Sequence, residues 1–162
     1  MTQIDDLLRE ATAKHRVVGV AAAAATKDGT LYQGAFGRMN GAEPSELRMD
    51  EIFRIASMTK PITSVAAMQL VEHGRLDLDA DVGEILSELR DPQVLEGFDE
   101  ESGEPILRPA TTPITARQLL THTSGLAYDI WSPEIVQYMK KTGITGTLDG
   151  GTGFLNVPLI HD

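Results

Sequence analysis

Ser57 and Lys60, within Ser57-Met58-Thr59-Lys60, are the residues whose types and spacing could do chemistry. A serine hydroxyl is a poor nucleophile near neutral pH and needs a base beside it. A lysine can be that base when burial or a neighbouring charge lowers its pKa. The run from Pro61 to His73 predicts a helix. Pro61 suits a first turn, where its missing N–H costs nothing. Gly74 suits the far end, where a left-handed residue stops a helix. Ile62, Val65, Ala66, Gln69 and Leu70 recur at helical spacing and would bury this helix. Ser57 and Lys60 would then share one face of its first turn, about 5–6 Å apart at Cβ. Backbone N–H groups at the helix N-terminus could face the oxyanion of a tetrahedral intermediate. With seven Ser and five Lys in 162 residues, chance alone gives S-x-x-K roughly 0.2 times. On the tetrapeptide alone, a serine that caps a helix beside a solvated lysine is the stronger reading. The surroundings must decide.

The chain of 162 residues is long enough for one domain with a real core. Its net charge of −10 argues against nucleic acid and anionic membrane surfaces as partners. The absence of cysteine excludes disulfides, thiol catalysis and thiolate metal sites. His15, His73, His122 and His161 show no i,i+4 pair and no H-E-x-x-H, so no metal is expected. No cofactor is expected either. Gly150-Gly-Thr-Gly153 lacks the Gly-Lys-Ser/Thr ending of a phosphate loop. The first ten residues have neither a basic start nor an apolar core, and the Val17–Ala25 run is too short to span a bilayer. The expected location is the cytoplasm.

The elements that must position the pair follow from local patterns. Residues 2–15 predict an amphipathic helix, with Thr2 and Asp5 as a capping box and Ile4, Leu7, Leu8 and Ala11 as its stripe. Val17–Thr26 and Leu31–Gly37 predict a hairpin around Lys27-Asp28-Gly29-Thr30. Residues 40–50 read as loop. A loop from Arg75 leads to a short helix over 82–89. Residues 91–110, rich in Asp, Glu and Pro, read as a solvated surface excursion. Thr115 caps a helix over 116–121, a further helix runs over 133–141, and the glycine-rich tail from Gly143 reads as loop.

Three stretches in this order carry a resemblance: Phe53–Lys60 with its Pro61 helix, Gly74–Val82, and Ile114–Leu126 with its His122-Thr-Ser-Gly125 core. Together they resemble the serine β-lactamase and penicillin-binding-protein superfamily, whose nucleophile motif is S-x-x-K. They look most like its class C-type branch of cytoplasmic esterases and transesterases. The resemblance implies an α+β fold, an antiparallel sheet flanked by helices plus a helical region, of which this chain holds only the front. Residues 1–56 would be the N-terminal helix and hairpin, and 57–162 the nucleophile helix and helical region. Ser57 would be the acylated nucleophile, Lys60 its base partner, and the Ser57 N–H half of an oxyanion hole. Tyr128 and Trp131 could line a substrate cleft or serve a plain core or surface role. His122 reads as a packing or hydrogen-bonding residue.

The departure from the family is large. Its second motif carries a proton-relaying tyrosine, and its third lies on a later strand; neither is visible here. Tyr138 sits in a predicted helix without the following motif residues. The hairpin alone would leave unpaired edges and an uncovered face. The implied partner is therefore a second polypeptide supplying the tyrosine, the remaining strands and a C-terminal helix. The implied activity is a carboxylesterase or transesterase on small esters. A β-lactamase or D-peptidase, or a non-catalytic binding remnant, remain the alternatives.

Overall fold

The computed structural model describes residues 2–39, 45–146 and 151–162. Residues 40–44 of the stretch expected to be loop, and Gly150 of the expected glycine run, lie outside that description. The chain divides into two compact units, Met1–Ser57 and Met58–Asp162.

In the first unit, α1 (Gln3–Ala13) begins where the sequence places it. The Thr2 hydroxyl accepts the Asp5 N–H, and the Asp5 carboxylate accepts the Thr2 N–H, which closes a capping box. The hairpin also forms as expected. β1 (Gly19–Thr26) and β2 (Gly29–Gly37) pair antiparallel through a tight turn, with a bulge between Ala24 and Ala25. The helix is pinned to β2 by the Tyr32 hydroxyl, which donates to Asp5 Oδ1 at 2.9 Å. Arg9 also lies over the Phe36 ring, 4.7 Å from its centre. The Thr2 N–H and then the Tyr32 hydroxyl hold the Asp5 carboxyl below its usual range. Gly37 has φ +84°, and a Cβ there would sit 2.4 Å from the Val18 carbonyl oxygen, so only glycine closes this end of the ladder. Among the described residues the sheet stops at two strands, and Ala23 to Thr26 remain exposed.

The second unit opens with α2 (Thr59–Glu72), ended by Gly74 at φ +65°. Its boundaries match the sequence reading, but its burial does not. Among the described residues no side chain of α2 is buried; Ile62 is 65% exposed and Val65 61%. The physical reason is that its apolar residues are spread around the helix instead of forming one stripe, so a single neighbouring layer could not cover them. The chain then enters the core through Leu76 and Leu78. Two 3-10 turns, Val82–Glu84 and Ser87–Leu89, replace the expected single short helix over 82–89. Asp81 caps the first by accepting the Gly83 N–H at 2.7 Å, and the Arg90 guanidinium reaches the Gly83 carbonyl at 3.2 Å.

Residues 91–110 are not a solvated excursion. β3 (Gln93–Phe98) and β4 (Pro105–Pro109) form a second antiparallel hairpin, and Val94 and Leu95 are buried. The acidic residues serve its turn: Asp99 accepts the N–H groups of Glu101 and Ser102 and the Ser102 hydroxyl. The tail is irregular, as expected, yet its end is core. Leu159 bridges β3 through two 2.8 Å bonds, from its N–H to Gln93 and to its carbonyl from Leu95. Asp162 is held by Arg108 at 2.7 Å and by the Thr111 N–H at 2.8 Å.

α3 (Ala116–Thr121) carries a second capping box, between Thr115 and Gln118. α4 (Pro133–Thr142) starts at Ser132 and Pro133 and ends at Gly143, φ +75°. The main cluster joins Val82, Leu89, Val94, Ile114, Ala116 and Leu159. A second joins Ile135, Met139 and Val157. A fork of Arg117 onto Asp79, at 2.7 and 2.8 Å, ties the stretch before Val82 to α3.

Candidate active site

Ser57 lies in the 3-10 turn Ala56–Met58, which runs directly into α2. Lys60 lies in the first turn of α2, and both residues are exposed. The expected helix therefore starts two residues after the serine, so Ser57 occupies its lead-in. The boundary between the two units falls immediately after Ser57.

Two features mark this junction. Ala56 has φ +46°, a left-handed conformation that costs a residue with a Cβ about 1–2 kcal/mol. Such residues gather where a site dictates the backbone. In addition, no side chain caps α2, because the N-cap position is Met58. The first N–H groups of a helix lack partners within it and favour a negatively charged oxygen. Neither feature could be read from the sequence, since alanine and methionine carry no turn or cap signal.

Tyr128 and Trp131 are brought together. Their rings meet edge to face, 5.2 Å between centres at 78°. The turn responsible is closed by the N–H groups of Trp131 and Ser132, both donating to the Tyr128 carbonyl at 3.1 and 3.0 Å. They face different hollows, however. Tyr128 lines a small cavity with His122 and Ser124, whereas Trp131 lines a surface groove with Ile130, Val136 and Lys140.

The His122-Thr-Ser-Gly125 stretch acts as structure. His122 ends α3 in a left-handed conformation, φ +58°. Ser124 is buried, and its hydroxyl accepts the Leu126 N–H at 3.4 Å. Gly125 has φ +81°, and a Cβ would fall 2.1 Å from the His161 carbonyl oxygen. Its carbonyl accepts the Ile160 N–H at 2.9 Å, so this glycine lets the tail reach the core.

The sequence pattern that defines the Beta-lactamase family matches residues 4–154. The chain belongs to that family. Similar proteins include the lovastatin esterase of Penicillium rubens, 40% identical over 118 residues, which are 72% of this chain and 27% of that one. Esterase EstB of Burkholderia gladioli is 37% identical over 126 residues, 78% of this chain and 29% of its own. The unliganded selenomethionyl structure of simvastatin synthase, LovD, from Aspergillus terreus superposes with a TM-score of 0.78 at 34% identity. That superposition covers 98% of this chain and 41% of LovD. The fold is thus the β-lactamase-like α+β fold expected from the three stretches, and the chain spans well under half the length of these family members. Among the described residues no helix is long and apolar enough to cross a membrane.

Proposed function

We propose that this chain is the N-terminal part of a serine hydrolase that forms an acyl-enzyme on small carboxylic esters. The observation that carries the reading is Ser57 on the turn that opens an uncapped helix with Lys60 in its first turn, in a family member two of whose relatives are named esterase.

In this reading the Ser57 oxygen attacks the ester carbonyl, and its proton passes through Lys60 and a tyrosine from elsewhere to the departing alcohol. The C–O bond to the alcohol breaks as the Ser57 ester forms. Water, or a second alcohol, then attacks that ester, releases the acid or a new ester, and returns the proton to Ser57. N–H groups at the start of α2 would meet the oxyanion.

A lysine works as a base when its amine is desolvated, and Lys60 is exposed. The reading therefore requires a covering surface. We assign that cover to a second polypeptide that carries the relay tyrosine, the remaining strands and a C-terminal helix. The uncovered apolar residues of α2 and the two-stranded sheet support this assignment. Tyr128 and Trp131 would contribute the rim of the substrate cleft. The division into residues 1–56 and 57–162, and a cytoplasmic location, belong to the same reading.

The test uses protein purified natively from its own source, with whatever chain accompanies it. A fluorophosphonate is expected to label Ser57, and turnover of p-nitrophenyl butyrate is expected to fall about 1000-fold or more in Ser57→Ala. Equal rates in the two proteins would refute the enzyme, and faster turnover of nitrocefin than of the ester would move the substrate class to β-lactams.

A further inference from the structure

Between the second 3-10 turn and β3 the chain passes through Asp91, whose φ of +51° is left-handed. The next residue is Pro92, whose ring pushes the residue before it towards extended backbone. The fold imposes the left-handed turn from both sides. Before it, Leu89 is buried in the main cluster and the Arg90 N–H donates to the Ser87 carbonyl at 3.2 Å. After it, the Pro92 carbonyl accepts the Ala110 N–H at 2.9 Å, and Val94 is buried in the same cluster. Strain of this kind persists only where the surroundings over-determine it.

The atoms around this peptide bond are those that its cleavage would use. Asp91 is exposed, and among the described residues its carboxylate has no hydrogen bond or ion pair. The neighbouring Arg90 guanidinium is committed to the Gly83 carbonyl at 3.2 Å. The Asp91 carbonyl accepts the Gln93 side-chain amide N–H at 3.2 Å. Gln93 opens β3, and its own carbonyl accepts the Leu159 N–H at 2.8 Å, so a fixed strand carries this donor. An amide donor aimed at a carbonyl oxygen stabilises the negative charge that grows there under attack. The proline nitrogen carries no hydrogen in the chain and leaves as a secondary amine.

We propose that the Asp91–Pro92 bond is a self-cleavage site. A carboxylate oxygen of Asp91 attacks the carbonyl carbon of the same residue and closes a five-membered anhydride ring. Attack within one residue has the advantage of proximity. The C–N bond to Pro92 breaks, and the Pro92 nitrogen takes a proton from solvent. One water then opens the anhydride to two carboxyl groups. The sum is one water consumed and one peptide bond hydrolysed, with no change of oxidation state. Cleavage also frees Asp91 from its left-handed backbone. Leu89 and Val94 stay in one cluster, so residues 1–91 and 92–162 remain together in the nicked protein.

The test uses the protein with whatever chain accompanies it, held at about pH 5, where aspartates are still ionised. Intact mass and N-terminal sequencing are expected to show a fragment that begins at Pro92, with no change of size in gel filtration. In concentrated urea the left-handed turn and the Gln93 contact are lost, and cleavage is expected to be about 10-fold slower. Asp91→Gly places a residue that accepts φ +51° and removes the carboxylate, so no fragment is expected from it. Gln93→Ala is expected to slow the reaction about 5-fold or more. If circular dichroism shows that variant unfolded, Gln93→Met, of similar volume, replaces it with the same expectation. A native protein that stays whole, an equal rate in urea, a Pro92 fragment from Asp91→Gly, or an unchanged rate without the Gln93 amide would each overturn the proposal. Ser57→Ala is expected to cleave at the unaltered rate, and loss of the fragment there would assign the cut to Ser57 and overturn it too. Ester turnover reads Ser57 and the Pro92 fragment reads Asp91, so failure of the enzyme reading and failure of this one are told apart.

Discussion

Ala56, with φ +46°, holds its Cβ against the backbone immediately before the serine. The local fold would accept glycine there at lower energy. Relief of the left-handed strain outweighs the added chain entropy of glycine in the unfolded state, so Ala56→Gly is expected to raise stability by about 0.5–1 kcal/mol. Chemical denaturation of the two proteins measures this directly; a destabilised variant would show that the alanine side chain makes contacts that matter more than the strain. A second residue-scale prediction concerns Asp162. The Arg108 guanidinium, then the Thr111 N–H, lower its carboxyl from 3.8 to about 2. A carboxyl depressed by folding stabilises the fold at pH above its unfolded value and loses that contribution as pH falls through the folded one. Thermal midpoints are therefore expected to drop between pH 3.8 and about 2, and Asp162→Asn is expected to flatten that slope while lowering the plateau at neutral pH. An identical slope in the variant would assign the acid sensitivity to other depressed carboxyls, such as Asp79 beside Arg117 and Asp99 in its turn.

Elements with strong local signals were legible in the sequence. Thr2 with Asp5, and Thr115, each fix a helix start by a side chain that satisfies backbone groups within a few residues. The β3–β4 hairpin was not legible, because its strands are short and its turn is acidic. What decides it is Leu159, far along the chain, pairing with β3. A contact across that sequence distance leaves no periodicity to read. The 3-10 lead-in carrying Ser57 was hidden for a related reason, since the left-handed Ala56 is set by surroundings and not by propensity. The same logic ranks the helices by what they bury. Ile135 on α4 is 1% exposed and packs with Met139 and Val157, so Ile135→Ala is expected to cost about 2–5 kcal/mol. Thr115→Ala, which removes a half-buried cap, is expected to cost about 1 kcal/mol. Equilibrium unfolding in urea gives both values, and a reversed order would mean that the second cluster contributes little to the fold.

At the scale of the whole molecule the decisive contrast lies between α4 and α2. α4 has a wet side and a dry side and is satisfied by one neighbouring surface. α2 carries Ile62, Val65, Met68 and Leu70 on several sides, all exposed, interleaved with the polar Thr63, Ser64 and Gln69, so no single neighbouring surface covers them. The proposed serine–lysine pair sits at the start of this element, and in the proposed reading the second polypeptide supplies its remaining environment. Val65→Glu separates the two states. In the 162-residue chain alone the substitution is at an exposed position and is expected to change unfolding free energy by no more than about 0.5 kcal/mol. In the complex with the proposed second polypeptide the carboxylate would be buried without a partner, a cost of about 3–5 kcal/mol. Association, followed by sedimentation velocity, is then expected to weaken by about 100-fold or more, and ester turnover to fall with it. Ile85→Glu, on an exposed residue of the loop between the two 3-10 turns, is expected to change neither. If Val65→Glu left association and turnover intact, α2 would remain a surface helix in the working protein, and the proposed covering polypeptide would be ruled out.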